Sequence, residues 1–470
     1  MKWLLGPLLW NWKIELEGAM FMSLKVALIT LGCAKNTADS EVVKGLLINN
    51  GFRWQDEANN ADIIIINTCG FIKDAKEQSI ETVLDIAAGK KDFQKIVVFG
   101  CLAQRYSKEI EKEIPEVDGI IGNDQLTRMP DILKSLFLQE KVLEVKSSSE
   151  FTREGFINRE RVEDGFFSYL KIADGCDNLC SYCVIPLVRG GYRSKMPEDV
   201  ILEVKYLVSK GVKEVILIAQ DIGEYGKDID PKYNLPRLLK DLTRIDGLDW
   251  VRLLYCYPNH LTDDLLYTIA SEDKICNYLD VPLQHLSDDV LRKMSRTFSR
   301  DDIYELISKA KKILPYMALR STFIVGFPGE TTKDIEILSK GLKDLKLTWS
   351  GFFAYSQEEG TPAAKMPNQL PEEVKLERLS LVKNIQHEIT LEEMKKYIGK
   401  KLPVLIEEKI PTEKDWYLGR SYLQSPEIDG QIFVNIKKNI QSKIGVIVPV
   451  DIIGTTSIDL IGEITDESCQ

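Results

Sequence analysis

From Val26 onward, short unbroken apolar runs alternate with longer stretches of helical periodicity. Val26–Leu31, Ile63–Ile66 and Ile96–Phe99 are continuous runs rich in β-branched residues and are predicted as buried strands. Gly32 to Asp39 reads as a loop, and Ser40 to Asn49 as a helix stopping before Gly51. Strands without polar alternation, separated by helices, predict a parallel sheet covered on both faces. Residues from about 140 to 163 are polar and charged and read as a linker.

Six further strand-like runs follow, separated by helical ones: Phe167–Ala173, Glu214–Ala219, Trp250–Tyr255, Tyr278–Pro282, Leu319–Val325 and Trp349–Ala354. Six βα units predict a barrel or partial barrel, with its chemistry at the carboxyl ends of the strands. Pro371 to Lys396 reads as a long charged connecting helix. After Gly399 the texture changes to short β runs at Pro403–Glu407, Gln431–Ile436, Gly445–Ile453 and Asp459–Ile464, which predict a small antiparallel barrel. The expected organisation is therefore α/β multidomain: an extension over residues 1–22, a parallel α/β sheet domain over 23–145, a partial (βα)6 barrel over 160–395 and a small β-barrel over 396–466.

Residues 1–22 carry one short apolar stretch broken by Gly6-Pro7. A signal peptide is one reading; an upstream start codon, with Met20 or Met22 as the working one, is the simpler one, and the extension is expected to be disordered. No run approaches the ~20 apolar residues that span a bilayer. The chain has 470 residues, 44% hydrophobic and 28% charged, with a net charge of −11. Such an acidic surface disfavours nucleic acid unless a basic patch overrides it. Nine cysteines spread over a chain of this length are not a disulfide framework. They point to a reducing cytosol and to thiols kept for metal or redox chemistry.

Cys33, Cys69 and Cys101 each fall just after a predicted strand, beside a glycine. Ligands of open parallel sheets sit beyond the carboxyl ends of the strands. Three strands thus deliver three thiols to one sheet edge, as a metal or cluster site requires; the alternative is three small core residues. Cys176, Cys180 and Cys183 form a CxxxCxxC loop after the first barrel strand. Thiolates are soft ligands for iron–sulfur clusters or zinc. Three of them can hold three corners of a four-iron cluster and leave the fourth iron open for catalysis. Zinc would call for a fourth ligand nearby, yet the first histidine is His260.

This spacing resembles the signature of the radical S-adenosylmethionine superfamily, and from residue 24 onward the chain resembles a methylthiotransferase. The amino-terminal motif is Leu31-Gly32-Cys33-Ala34-Lys35-Asn36 followed by Asp39-Ser40-Glu41. The resemblance implies two four-iron four-sulfur clusters, an auxiliary one on Cys33, Cys69 and Cys101 and a radical one on Cys176, Cys180 and Cys183. It makes the last domain a TRAM barrel, and it implies an electron donor such as a flavodoxin or ferredoxin. One S-adenosylmethionine would methylate a sulfur held at the auxiliary cluster. A second would be cleaved to a radical that takes hydrogen from the substrate carbon, which then captures the methylthio group.

Two branches divide this family, one acting on transfer RNA adenosine and one on an aspartate β-carbon of small-subunit ribosomal protein S-twelve. Ala34-Lys35-Asn36, Tyr255-Cys256-Tyr257-Pro258, Asp280-Val281-Pro282-Leu283-Gln284-His285, the segment Tyr355 to Pro362 and Ser425-Pro426-Glu427-Ile428-Asp429-Gly430 resemble the protein branch; Gln357 departs from the expected proline. From Tyr397 to Gln470 there are eight Lys plus Arg against eleven Asp plus Glu. An acidic barrel suits a basic ribosomal protein better than RNA.

By resemblance Tyr182 lies near the adenine and Gly326-Phe327 lines the S-adenosylmethionine pocket, where glycine lets backbone approach a ligand. Gln220-Asp221 and Gln284-His285 end barrel strands and are pocket candidates; a helix cap and a structural histidine are the alternatives. Arg193 and Arg320 could meet a carboxylate bidentately or form surface ion pairs. Cys256 and Cys276 read as core, and no catalytic side chain is expected beyond the cluster ligands.

Overall fold

The computed structural model describes residues 24–137, 141–147, 155, 159–162, 165–230, 232–436 and 444–464. The expected extension, Cys469 and half of the expected linker lie outside the described residues. The chain forms two compact units. The first comprises residues 1–164, 174–177 and 184–195; the second comprises 165–173, 178–183 and 196–470.

The first unit is built on a six-stranded sheet of β1 (Lys25–Thr30), β2 (Arg53–Trp54), β3 (Ile63–Thr68), β4 (Lys95–Gly100), β5 (Gly119–Ile121) and β6 (Val142–Glu144), in the order β2-β1-β3-β4-β5-β6. Every pair is parallel. Because side chains alternate across a strand, Ile63, Ile65, Val97 and Phe99 pack on one face with Val43 and Leu47. Ile64, Ile66, Ile96 and Val98 pack on the other with Val83 and Ala87. Burial on both faces is what the unbroken apolar runs encode. The stretch expected to begin the linker instead supplies β6, the edge strand.

Helix α1 (Ala34–Asn49) starts six residues before the expected Ser40. Its first turns bury polar side chains, Asn36, Asp39, Ser40 and Glu41, so the apolar periodicity that would reveal a helix is absent there. Helix α2 (Lys73–Ala88) follows β3, the short helix α3 (Cys101–Arg105) follows β4 directly, and α4 (Ile185–Arg189) belongs to the same unit.

In the second unit β7 (Phe167–Lys171), β8 (Glu214–Ile218), β9 (Trp250–Leu253), β10 (Tyr278–Asp280), β11 (Ala318–Val325) and β12 (Trp349–Ala354) form two parallel three-stranded sheets, β9-β8-β7 and β10-β11-β12. Backbone bonds from Cys276 N to Val251 O and from Cys256 N to Asp280 O, both 2.9 Å, join them. The result is the expected open six-strand half-barrel. Helix α5 (Glu372–Lys395) leads to a closed barrel of β13 (Lys401–Lys409), β14 (Trp416–Arg420), β15 (Ile432–Asn435), β16 (Ile447–Thr456) and β17 (Asp459–Glu463), in the order β13-β14-β15-β17-β16. It is not wholly antiparallel as expected: β15 and β17 run parallel. The strand β14, with Gly419 and Arg420 breaking its apolar run, gave no strand signal in the sequence.

The loop after β14 reaches the amino-terminal ends of the half-barrel strands. Arg420 pairs with Glu214 at 2.8 Å and Glu214 with Arg252 at 2.6 Å. Arg252 donates to the carbonyls of Ser421 and Tyr422. Trp349 donates to the carbonyl of Leu423 at 2.6 Å, and Tyr278 donates to Asp429 at 2.6 Å. The two barrels are joined by this buried polar network.

Candidate functional site

The order of the first sheet changes direction between β1 and β3, and doubly wound sheets bind ligands at that point. Cys33 follows β1, Cys69 follows β3 and Cys101 follows β4. Two glycines bring the loops together. Gly32 has φ of +99°, and a Cβ there would stand 2.8 Å from Cys69 Cβ. A Cβ at Gly70 would stand 2.9 Å from the Cys101 carbonyl. Beneath them, Asn67 donates to Asn36 O at 2.8 Å and to Ser40 Oγ at 2.9 Å, and Asn36 donates to Leu31 O at 2.7 Å. The buried polar residues of α1 thus fix the loop geometry. The Cys69 amide donates to Ser79 Oγ on α2 at 3.0 Å.

Cys33 is exposed, whereas Cys69 and Cys101 are 8% and 7% exposed. Burial, reinforced by the neighbouring Cys33 and Cys101 sulfurs, pushes the Cys69 thiol up to about 12. Burial also raises Cys101, against the opposing pull of Arg189. Two buried thiols that resist ionising, with a third sulfur beside them, call for a cationic group among them. Among the described residues no three His, Cys, Asp or Glu side chains converge closely enough for a single metal ion. A four-iron cubane offers separate corners, so it takes thiols spaced further apart, and an all-sulfur donor set suits it.

The CxxxCxxC loop is anchored from both of its ends. In the first unit Cys176 N donates to Gly190 O at 3.1 Å, and Tyr192 N donates to Asp177 Oδ1 at 3.0 Å. In the second unit Ser181 N donates to Met294 O and Ser181 Oγ to Lys293 O. Leu179, between the cysteines, is 84% exposed. The Tyr182 ring meets the edge of Phe327 at 6.5 Å, and Phe327 meets Tyr355 at 5.2 Å. Tyr182 and Phe327, both expected near S-adenosylmethionine, therefore stand together. Burial, first among its causes, raises the Tyr182 hydroxyl, with Arg296 opposing and Cys180 adding. The space that a Cβ would take at Gly326 is filled by Lys375. Gln220 is half-buried beyond β8. Beyond β9 and β10, Tyr255 (φ 67°) and Gln284 (φ 68°) are left-handed without being glycine. Gln284 Oε1 is buried with no partner among the described residues. Such strain clusters at ligand sites, and an orphaned acceptor fits a ligand carrying hydroxyl and amino donors.

Other expected residues are accounted for within the fold. Asp221 caps the turn after β8 and meets His260 Nδ1 at 2.7 Å; it also accepts from Asn178 at 3.0 Å. His285 is fully buried, accepting from Ser287 N and facing Glu330 at 3.4 Å. Arg320 pairs with Asp280 at 3.3 Å and Asp429 at 3.4 Å. Arg193 donates to the carbonyls of Arg189 and Gly191. Cys256 and Cys276 are buried at 3% each, as expected of core. Two cations were missed. Arg296 stands 3.8 Å from Cys180 Sγ and 4.4 Å over the Tyr257 ring, and Arg189 lies beside Cys101. Nothing in the sequence separates a buried arginine from an exposed one.

Known families match three segments: Uncharacterized protein family UPF0004 at residues 25–122, the Radical SAM superfamily at 170–340 and the TRAM domain at 398–465. Among solved structures, the radical S-adenosylmethionine methyltransferase TsrM from Kitasatospora setae, with cobalamin and a [4Fe-4S] cluster bound, superposes with TM-score 0.53 at 14% identity, covering 80% of this chain and 76% of that one. That likeness is one of fold. In sequence, the ribosomal protein uS12 methylthiotransferase RimO of Lachnoclostridium phytofermentans is 43% identical, covering 93% of this chain and 99% of its own. The proteins of that name from Thermoanaerobacter sp. and Pelotomaculum thermopropionicum are each 44% identical, over 93% and 94% of this chain and 99% of theirs. With a match of this depth along nearly its whole length, and the strand-end thiols and CxxxCxxC loop in place, the chain belongs to the ribosomal protein uS12 methylthiotransferase RimO family.

Proposed function

We propose that this chain methylthiolates the β-carbon of an aspartate in ribosomal protein uS12, using S-adenosylmethionine and two four-iron four-sulfur clusters. The observation that carries the substrate is 43% identity across 99% of a relative named for that activity. It favours the protein branch over transfer RNA, and the acidic balance of the TRAM segment agrees with it. The geometry supports Cys33, Cys69 and Cys101 as ligands of the auxiliary cluster. The spacing of Cys176, Cys180 and Cys183 supports them as ligands of the radical cluster.

The clusters and S-adenosylmethionine supply the radical chemistry, which the target C–H bond needs because it is neither acidic nor electrophilic. The chain's own residues hold and orient. Tyr182 and Phe327 give the adenine an apolar wall, and Gln220, Gln284 and the backbone at Gly326 bound the rest of the pocket. Arg296 holds a fixed positive charge beside Cys180. An electron donor of the flavodoxin or ferredoxin class is part of this reading, as is a cytoplasmic location. No helix among the described residues is long and apolar enough to cross a membrane.

The test is the mass of uS12 from cells with and without the gene. A methylthio-sized difference on one aspartate is expected. An unchanged uS12, with a methylthio group missing from transfer RNA adenosine, would overturn the substrate.

A further inference from the structure

Arg189 ends helix α4 and is 2% exposed. Its Nη1 donates to Asp174 at 3.0 Å, and its Nη2 donates to Asp39 at 3.0 Å and Asn36 Oδ1 at 3.3 Å. A guanidinium held by two carboxylates would be an ordinary buried ion pair. This one also follows Val188, which packs against Cys101 in one buried cluster, and its charge acts on the Cys101 and Cys33 thiols. On its other side Cys101 Sγ has Asn123 Nδ2 at 3.8 Å, and that amide also donates to Val188 O at 3.1 Å. Cys101 of the strand-end trio therefore has one amide donor on its sulfur and a fixed, buried cation close by.

Hydrogen bonds to the sulfurs, net charge and burial set the reduction potential of an iron–sulfur cluster. We propose that Arg189 is a positioning residue that makes the cluster on Cys33, Cys69 and Cys101 easier to reduce, with Asp39 and Asp174 as its counterweights. The inference rests on the ligand assignment above. The couple is a one-electron one: the cluster gains one electron from a low-potential one-electron donor, which is oxidised, and no covalent bond changes. Arg189 favours the more negative, reduced form. Asp39 and Asp174 disfavour it and at the same time hold the guanidinium in place.

The test uses the full chain with Cys176, Cys180 and Cys183 replaced by Ala, so that only the auxiliary cluster loads under anaerobic iron and sulfide. Iron content is read first. A chain that binds no iron refutes the ligand assignment itself, separately from the role of Arg189. In the loaded chain the cluster is titrated with dithionite and followed by electron paramagnetic resonance. Arg189→Met should shift the oxidised-to-reduced ratio at fixed potential at least about tenfold toward oxidised, 59 mV for one electron. Asp39→Asn should shift it toward reduced, and Arg189→Lys should stay near the parent. These opposite signs would not arise from a merely structural role. Should Arg189→Met fail to load, Asp39→Asn and Arg189→Lys carry the test. Shifts of the same sign for Arg189→Met and Asp39→Asn, or no shift in Asp39→Asn, would overturn the proposal.

Discussion

Replacing Glu214 by Gln removes the buried carboxylate shared by Arg252 and Arg420, which it meets at 2.6 Å and 2.8 Å. All three side chains are at most 2% exposed. Removing one partner from such a network leaves charge buried without compensation and costs about 3–5 kcal/mol. The upper part of that range applies here, because two guanidinium groups lose one anion. Arg420 keeps Glu407 at 2.6 Å, whereas Arg252 keeps the carbonyls of Ser421 and Tyr422 and the Tyr278 ring at 4.8 Å but no other ion pair among the described residues. Arg420→Met is milder, about 3 kcal/mol, since Glu214 retains Arg252 and the more exposed Glu407 can rehydrate. With a urea slope of about 3 kcal/mol/M, a cost of about 4–5 kcal/mol for Glu214→Gln should lower the unfolding midpoint of the second unit by about 1.3–1.7 M. Circular dichroism of the anaerobic holoprotein reads this directly. The gap should also depend on pH. Burial opposes ionisation of Glu214, but Arg252 and Arg420 hold it below its ordinary 4.5. Its contribution is therefore complete above pH 4.5 and is lost as pH falls through the lower folded value, so the two curves converge in acid. A midpoint for Glu214→Gln within about 0.2 M of the parent at neutral pH would refute the reasoning.

Three further outcomes follow from the sites. Cys69→Ala should halve the iron per chain and abolish the uS12 product while leaving 5′-deoxyadenosine release; loss of that release as well would contradict two separate clusters. Cys180→Ala should abolish 5′-deoxyadenosine release altogether, and a variant that kept it would sink the assignment of the loop. At His260 burial pulls the ring down, but Asp221 and Glu224 outweigh it and hold the pKa above 6.5. Its stabilisation is thus full below pH 6.5 and lost as pH rises through the folded value. Carbon-13-labelled histidine should titrate above 6.5 at this position, assigned by His260→Gln among the three histidines; a midpoint at or below 6.5 would contradict the pairing.

What could be read in the sequence was what a local pattern can encode. Ile63 to Ile66 is apolar throughout because both faces of β3 are covered, and CxxxCxxC carries its chemistry in its spacing. The start of α1 was hidden because its buried face is polar, serving the thiol loops rather than the core. The three-residue strands β5 and β6 are too short to show a period. The parallel pairing of β15 with β17 is a choice of partner, which a strand's own residues do not record. The same holds for charge. Arg189 meets Asp39 across 150 residues of sequence. For Arg320 the sequence left a substrate carboxylate and an ion pair equally open, and the partner that decides, Asp429, lies more than a hundred residues away.

The loop after β14 has a consequence for how the protein is made. Translation runs from the amino terminus, so Arg252 emerges 170 residues before the Tyr422 carbonyl to which it donates. Glu214 and Arg252 wait, charged and only partly matched, until β14 and its loop have left the ribosome. A message cut short before Arg420 gives a half-barrel with an open end, its Arg252 without the Ser421 and Tyr422 carbonyls and its Glu214 without the second cation. The final domain thus supplies, last in synthesis, the groups that complete the buried charge network at the half-barrel's end.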